Sequence, residues 1–347
     1  MSAAVELFAP GRLCLFGEHS DWAGGHRRSD PSLTPGECLV VGTDQGLYAR
    51  ASDAHGIFAL SQIGPDGRRR PPVEYPADPG ALRRIARSAG FDSYAAGVAA
   101  LVLERFPGLG LGLEIHRRTL PLAKGLSSSA AVCVLTARAF DRMHSLGLSI
   151  REEMELAYLG ELLTGSSCGR MDQACAYGSV PVILNFDGDS MSIREIRPSG
   201  RIHLLIVDLH AGKDTRRILA DLNAAFLAGR EGIRRALGPL NLSMLHRAES
   251  ALEQGDAEGL GALMTEAQSV FDSLVAPECP SELAAPKLHA VLSHRASRTL
   301  AFGGKGVGSQ GDGSAQLVCR SAEARLELAA VLEREMGVSC LELTVDP

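Results

Sequence analysis

The stretch that most constrains this chain is Pro121-Leu-Ala-Lys-Gly-Leu-Ser-Ser-Ser-Ala-Ala131, a glycine and serine turn that runs directly into the apolar segment 132–140. The alternation Leu111-Gly-Leu-Glu-Ile-His116 before it reads as a strand, and the apolar residues after it recur at helical spacing through Phe140. The turn therefore opens a helix. Gly125 reaches backbone angles closed to other residues, Ser127 can cap, and the first-turn amides of Ser128, Ser129 and Ala130 find no partner inside the helix. Those amides, at the positive end of the helix dipole, make a site for a phosphate chain. A serine-rich turn taken alone is more often an ordinary capped helix. The rest of the chain has to decide between the two.

Two other stretches bear on it. Residues 5–17 hold two short apolar runs broken at Pro10-Gly11, with Arg12 beside the break, and lead to Glu18-His-Ser-Asp-Trp22 and Gly24-Gly25. A strand thus delivers Glu18, His19 and Asp21 to a loop, where carboxylates can accept hydrogen bonds from the hydroxyls of a polyol; the plainer alternative is a solvated turn. Near the other end, residues 298–302 and 315–319 read as strands joined by Gly303-Gly-Lys-Gly-Val-Gly-Ser-Gln-Gly-Asp-Gly313. Six glycines in eleven positions exceed what a hairpin needs and let backbone amides approach a ligand. Between these lies Gly169-Arg-Met-Asp-Gln173, which places Asp172 at a helix start, where a carboxylate is electrostatically favoured.

The remaining texture divides the chain. Strands are expected at 39–41, 47–50, 57–61 and 73–75, and a helix at 93–106; residues 26–37 read as a long loop. Helices are expected at 151–163, 215–237, 245–254, 258–274, 281–294 and 322–335, and strands at 180–186, 191–196, 202–209 and 339–345. The expected domains are 1–200 and 201–347, the second richer in helix. A net charge of -6 argues against a nucleic-acid surface. None of the eight cysteines forms a C-x-x-C pair, and several sit in apolar patterns, which suits buried thiols in a reducing compartment. No run approaches a membrane span and no secretory leader pattern opens the chain, so a cytoplasmic protein is expected.

Taken together these stretches resemble the GHMP small-molecule kinases, the superfamily of galactokinase, homoserine kinase and mevalonate kinase. Ala9-Pro-Gly-Arg12 with Gly17-Glu-His-Ser-Asp21 is similar to the first motif in its galactokinase form, residues 121–131 to the phosphate-binding second motif, and residues 303–313 to the third. The resemblance implies an α+β fold of two domains with ATP and the acceptor between them. It also implies an ATP-dependent, galactokinase-like kinase acting on the anomeric hydroxyl of a hexose, pentose or uronic acid. It assigns Asp172 to the acceptor hydroxyl and Arg12 to the transferring phosphoryl group. Lys124, Gly125, Leu126, Ser127, Ser128, Ser129 and Ala130 would bind ATP together with Gly304, Gly306 and Gly308 of the glycine loop. Ser129 and Glu161 would ligate Mg²⁺, and Glu18, His19, Asp21 and Gly25 would bind the sugar. A monomer or homodimer with no nucleic-acid or membrane partner is expected.

Two carboxylates in the acceptor pocket favour a neutral, hydroxyl-rich substrate; Arg27 or Arg28 could still pair with the carboxylate of a uronic acid. The third motif, carrying Gln310 and Asp312, is closer to that of glucuronokinases than to that of galactokinases. A cyclitol acceptor, a decarboxylase of the mevalonate diphosphate type and a non-catalytic sugar and ATP sensor are the alternatives. The acidic loop 18–21 speaks against the decarboxylase, which needs basic residues for an anionic substrate.

Overall fold

The structure is a computed structural model, and it describes residues 4–64, 66–88, 90, 92–121, 125–166 and 168–347. In chain order the elements are β1 (Val5–Phe16), α1 (Ser20–Gly25), β2 (Gly36–Ser52), β3 (Ile57–Ser61), β4 (Val73–Pro76), α2 (Pro79–Ala86), α3 (Ser93–Arg105), β5 (Leu111–Arg118), α4 (Ser128–His144) and α5 (Ile150–Leu162). Then follow β6 (Val182–Asp187), β7 (Ser190–Glu195), β8 (Ile202–Asp208), α6 (Thr215–Leu227), α7 (Glu231–Arg235), α8 (Asn241–Gln254), α9 (Ala257–Leu274), α10 (Pro280–Leu283), α11 (Pro286–Ser293), α12 (Arg295–Leu300), β9 (Ala301–Gly306), β10 (Ser314–Cys319), α13 (Ala322–Met336) and β11 (Ser339–Val345).

The compact units are drawn differently from the division at residue 200 that the texture suggests. One comprises residues 1–12 and 42–178, the other 13–41 and 179–347. The chain passes from one to the other inside β1, inside β2 and after Gly178.

In the first unit β3 pairs antiparallel with β4 and parallel with β5, and β5 pairs antiparallel with residues 47–52 of β2. Helices α3, α4 and α5 form its core, with Ala95, Val98, Ala99, Val102, Val134 and Phe140 buried. Helices α3 and α5 meet backbone to backbone: a Cβ on Gly97 would lie 2.2 Å from the Gly160 carbonyl oxygen, so only glycine allows this packing. Helix α5 is started by a capping box in which Ser149 and Glu152 satisfy each other's backbone amides. Asp78 likewise caps α2 by accepting from the Ala81 amide at 2.7 Å, ahead of Pro79.

In the second unit β8 lies between β11 and β10, and β10 pairs with β9, all antiparallel. Leu205, Val207, Leu288, Val291, Leu317 and Leu328 make one core on this sheet. Ile218, Leu222, Ile233, Phe271 and Val275 make a second, among α6, α7 and α9. Residues 36–40 of β2 pair with β6, which forms a hairpin with β7.

Several local expectations change. Pro10-Gly11 does not break β1, which is one strand of 12 residues, and the two runs at 39–41 and 47–50 are one strand of 17. Residues 20–25 of the expected loop form α1. Residues 295–300, whose second half reads as strand, are helical, because the His294 ring accepts from the Ala296 amide at 3.2 Å and so caps α12. The strand starts at Ala301 and takes in Gly303, Gly304 and Gly306, which shortens the glycine loop to residues 307–313. Among the described residues no helix is long and apolar enough to cross a membrane. The cysteines are free, six of them buried and Cys168 and Cys340 half-buried.

Candidate active site

The first unit gathers its functional side chains at the N-terminus of α4. Gly125 has φ 77°, and Ser127, the residue before the helix, takes the left-handed conformation at φ 54°. The turn is held from below by β1, where Gly11 permits close approach: a Cβ there would stand 2.7 Å from the Leu126 carbonyl oxygen. Arg12 follows, its amide donating to the Leu126 carbonyl at 3.1 Å and Nη1 to the Gly125 carbonyl at 2.6 Å. Its Nη2 pairs with Asp172 Oδ1.

Ser127 does not cap the helix with its side chain. Its hydroxyl donates instead to Asp172 Oδ1 at 2.7 Å. The cap expected from sequence is not made because Ser127 is left-handed, at φ 54° and ψ 54°, rather than in the extended conformation of a capping residue. Leu126 is buried, and its carbonyl serves Arg12. The amides of Ser128, Ser129 and Ala130 form the first turn of a helix 17 residues long and have no partners within it. Lys124 lies outside the described residues.

Asp172 opens a short 3-10 helix, Asp172–Tyr177, rather than an α-helix. Its neighbour Gln173 donates to Glu161 Oε2 at 2.8 Å and leaves its own Oε1 buried and unpartnered. Glu161, brought in by the close contact of α3 and α5, is almost wholly buried and is hydrogen-bonded by Ser129. Burial, and after it the Asp172 charge, push the Glu161 carboxyl up to about 7. Burial and the same two carboxylates push the Cys168 thiol up to about 12, so it is inert as a nucleophile. Ser129 and Glu161 thus bring oxygen donors together where negative charge is poorly compensated. That donor set suits a hard cation.

The second unit holds the early acidic loop and the glycine strand. Gly17 has φ 90°, and a Cβ there would lie 2.1 Å from the Glu37 carbonyl oxygen, so only glycine makes this turn. His19 follows at φ 70°. Its Nδ1 accepts from Trp22 Nε1 at 3.2 Å, and its ring stacks on Phe271 at 6.1 Å between centroids. Burial, then the Lys213 and Lys305 charges, hold the imidazole at about 4, so it is neutral. Asp21 Oδ1 accepts from the Trp22 amide at 2.9 Å. Gly25 ends α1 with open space where a Cβ would project.

Glu18 forms a buried ion pair with Lys305 of β9, a partner the sequence reading passed over. This corrects the expectation of two uncompensated carboxylates beside the acceptor. The glycines near Lys305 are explained in part by packing: a Cβ on Gly304 would meet the Gln316 carbonyl oxygen at 2.4 Å, and one on Gly306 the Gln310 side-chain oxygen at 2.0 Å. Gly308 lies in the connection to β10 at φ 63°. Asp312 accepts from the Leu288 amide at 3.0 Å and is structural. Arg27 pairs with Asp187 at 2.6 Å, and Arg28 pairs with Asp189 at 3.2 Å at the exposed surface.

Known proteins share parts of this arrangement. Residues 93–179 match the GHMP kinases N terminal domain, the segment that runs from α3 through α4 and α5 to Asp172. The fold is the two-domain GHMP kinase fold. L. major mevalonate kinase in complex with R-mevalonate superposes with a TM-score of 0.73 at 20% identity, covering 100% of this chain and 99% of that one. Lactococcus lactis galactokinase complexed with galactose gives 0.72 at 17% identity, covering 99% and 94%.

The sequence is also similar to galactokinases. That of Mannheimia succiniciproducens is 26% identical over 292 residues, which is 79% of this chain and 69% of the relative. The family model and these relatives together support a kinase.

Proposed function

We propose that this chain is an ATP-dependent sugar kinase that transfers the γ-phosphoryl group of ATP to the anomeric hydroxyl of a monosaccharide. The observation that carries the reading is the convergence of Arg12, Ser127, Ser129, Glu161 and Asp172 at the N-terminus of α4. Phosphoryl transfer asks a protein for positioning and charge neutralisation more than for covalent chemistry. The free amides of Ser128, Ser129 and Ala130 suit the phosphate chain. Ser129 and Glu161 would hold Mg²⁺, which when bound neutralises phosphate charge.

Arg12 and Ser127 fix the Asp172 carboxylate in one orientation, on which an acceptor hydroxyl can align. An anomeric hydroxyl is more acidic than an ordinary alcohol, so a carboxylate can assist its deprotonation. The Arg12 guanidinium, held by the Gly125 carbonyl, stays at the turn and supports charge developing on the transferred group. Similarity to galactokinases supports a sugar as the acceptor. Because packing against the Gln316 carbonyl already accounts for Gly304, phosphate binding in this reading rests mainly on the start of α4.

ADP release with D-galactose, L-arabinose, D-glucuronate, myo-inositol and mevalonate tests the reading. Turnover with a monosaccharide is expected. Turnover with mevalonate or inositol alone, or with none of the five, would overturn it.

A further inference from the structure

We infer that Lys305 is an acceptor-positioning residue: its ammonium fixes the Glu18 carboxylate at the wall of a pocket in the second unit, so that this carboxylate meets the acceptor charged and in one orientation. The pocket is lined by Glu18, Lys305, Gln310 and Asn241 together with Leu237, Met244, Phe271 and other apolar residues.

Lys305 and Glu18 come from positions 287 residues apart, and their side chains are only 3% and 7% exposed. A carboxylate left alone in such surroundings takes up a proton or draws in water, because burying an isolated charge is strongly unfavourable. The ammonium removes that option. Lys305 is itself fixed, since Nζ also donates to the Gly306 carbonyl at 3.1 Å and the Gly306 amide donates to Gln268 Oε1 at 2.7 Å. The register of β9 is thereby locked to α9, and the lysine side chain with it.

A lysine inside a glycine-rich stretch is ordinarily read as a phosphate contact. Here the ammonium is already committed to Glu18 and a carbonyl, which points to the acceptor rather than to ATP. The inference depends on the proposed reading in one respect, that Glu18 faces the acceptor.

The test is a double-mutant cycle in steady-state kinetics with Glu18→Gln, Lys305→Gln and the double variant, using whichever of the five alcohols above drives ADP release in the wild type. Each single variant is expected to raise the acceptor KM ~10-fold or more with the ATP KM within about twofold, and the double variant to be little worse than either. An unmoved acceptor KM in Lys305→Gln overturns the inference, as does a rise in the ATP KM of equal size or effects that multiply in the double variant. If Lys305→Gln does not fold, Lys305→Arg decides: it keeps the charge with a different geometry. A raised acceptor KM with unchanged ATP KM then supports the inference, and an unchanged acceptor KM overturns it. Wild-type enzyme inactive with all five alcohols overturns the sugar-kinase reading and the inference together; wild-type turnover with an unmoved variant overturns the inference alone.

Discussion

Glu161→Gln should make the protein more stable and less active, and the size of the first effect follows from the site. The Glu161 carboxyl moves from an ordinary 4.5 to about 7 in the folded chain. The folded state therefore holds its proton more tightly than the unfolded chain, so stability falls as pH rises from 4.5 to 7 and the penalty is complete above that. At about 1.4 kcal/mol per pH unit, the full penalty is about 3 kcal/mol. A glutamine carries no charge there, and its oxygen can still accept the hydrogen bond that Gln173 donates at 2.8 Å. Imperfect replacement of the Ser129 contact costs up to about 2 kcal/mol at every pH, so the variant is more stable by about 1–3 kcal/mol at pH 8 and equal to, or less stable by up to about 2 kcal/mol than, the wild type at pH 4.5. Urea denaturation of both proteins in EDTA at the two pH values measures it. An equal difference at both, or a variant less stable at pH 8, would refute the electrostatic reasoning. Taking the difference between variant and wild type cancels the opposite pH dependence of His19.

Three further outcomes follow from the same contacts. His19, held neutral with its value lowered to about 4, contributes stability that is present above pH 6.5 and lost as pH falls through 4; His19→Gln should flatten this acid limb in denaturation curves, and a limb that persists would count against the burial argument. Asp172→Asn should reduce turnover by about 10²–10⁴ while ATP affinity, read by calorimetry, changes little; near-wild-type turnover would remove Asp172 from the chemistry. Gly97→Ala, which must push α3 and α5 apart, should cost about 1–3 kcal/mol in thermal or urea unfolding and raise the Mg²⁺ concentration needed for half-maximal rate; an unaffected Mg²⁺ requirement would mean that this contact does not position Glu161.

What could be read from the sequence was local. Gly125 and the serines after it announce a turn entering a helix, and Gly169-Arg-Met-Asp-Gln173 announces a charged helix start, because glycine freedom and N-terminal charge act over a few residues. The pairing of Asp172 with Arg12 and Ser127 is a tertiary fact that no local pattern carries. Lys305 was hidden among glycines that looked like a loop, since a strand made of glycine carries no alternation to read. Gly97 and Gly160 gave no sign of their contact, as each is an isolated glycine in a helical pattern whose purpose appears only when the two helices meet. The division into units escaped for a similar reason: β1 and β2 each cross the boundary without any change in composition.

The most direct measurement is the identity of the phosphorylated product. Phosphorus and proton NMR of a reaction with ATP, Mg²⁺ and the sugar that releases ADP should place the new phosphate on the anomeric carbon and give a product that Asp172→Asn does not form at a comparable rate. Phosphate on a primary hydroxyl, or ADP formed with inorganic phosphate and unchanged sugar, would contradict the account.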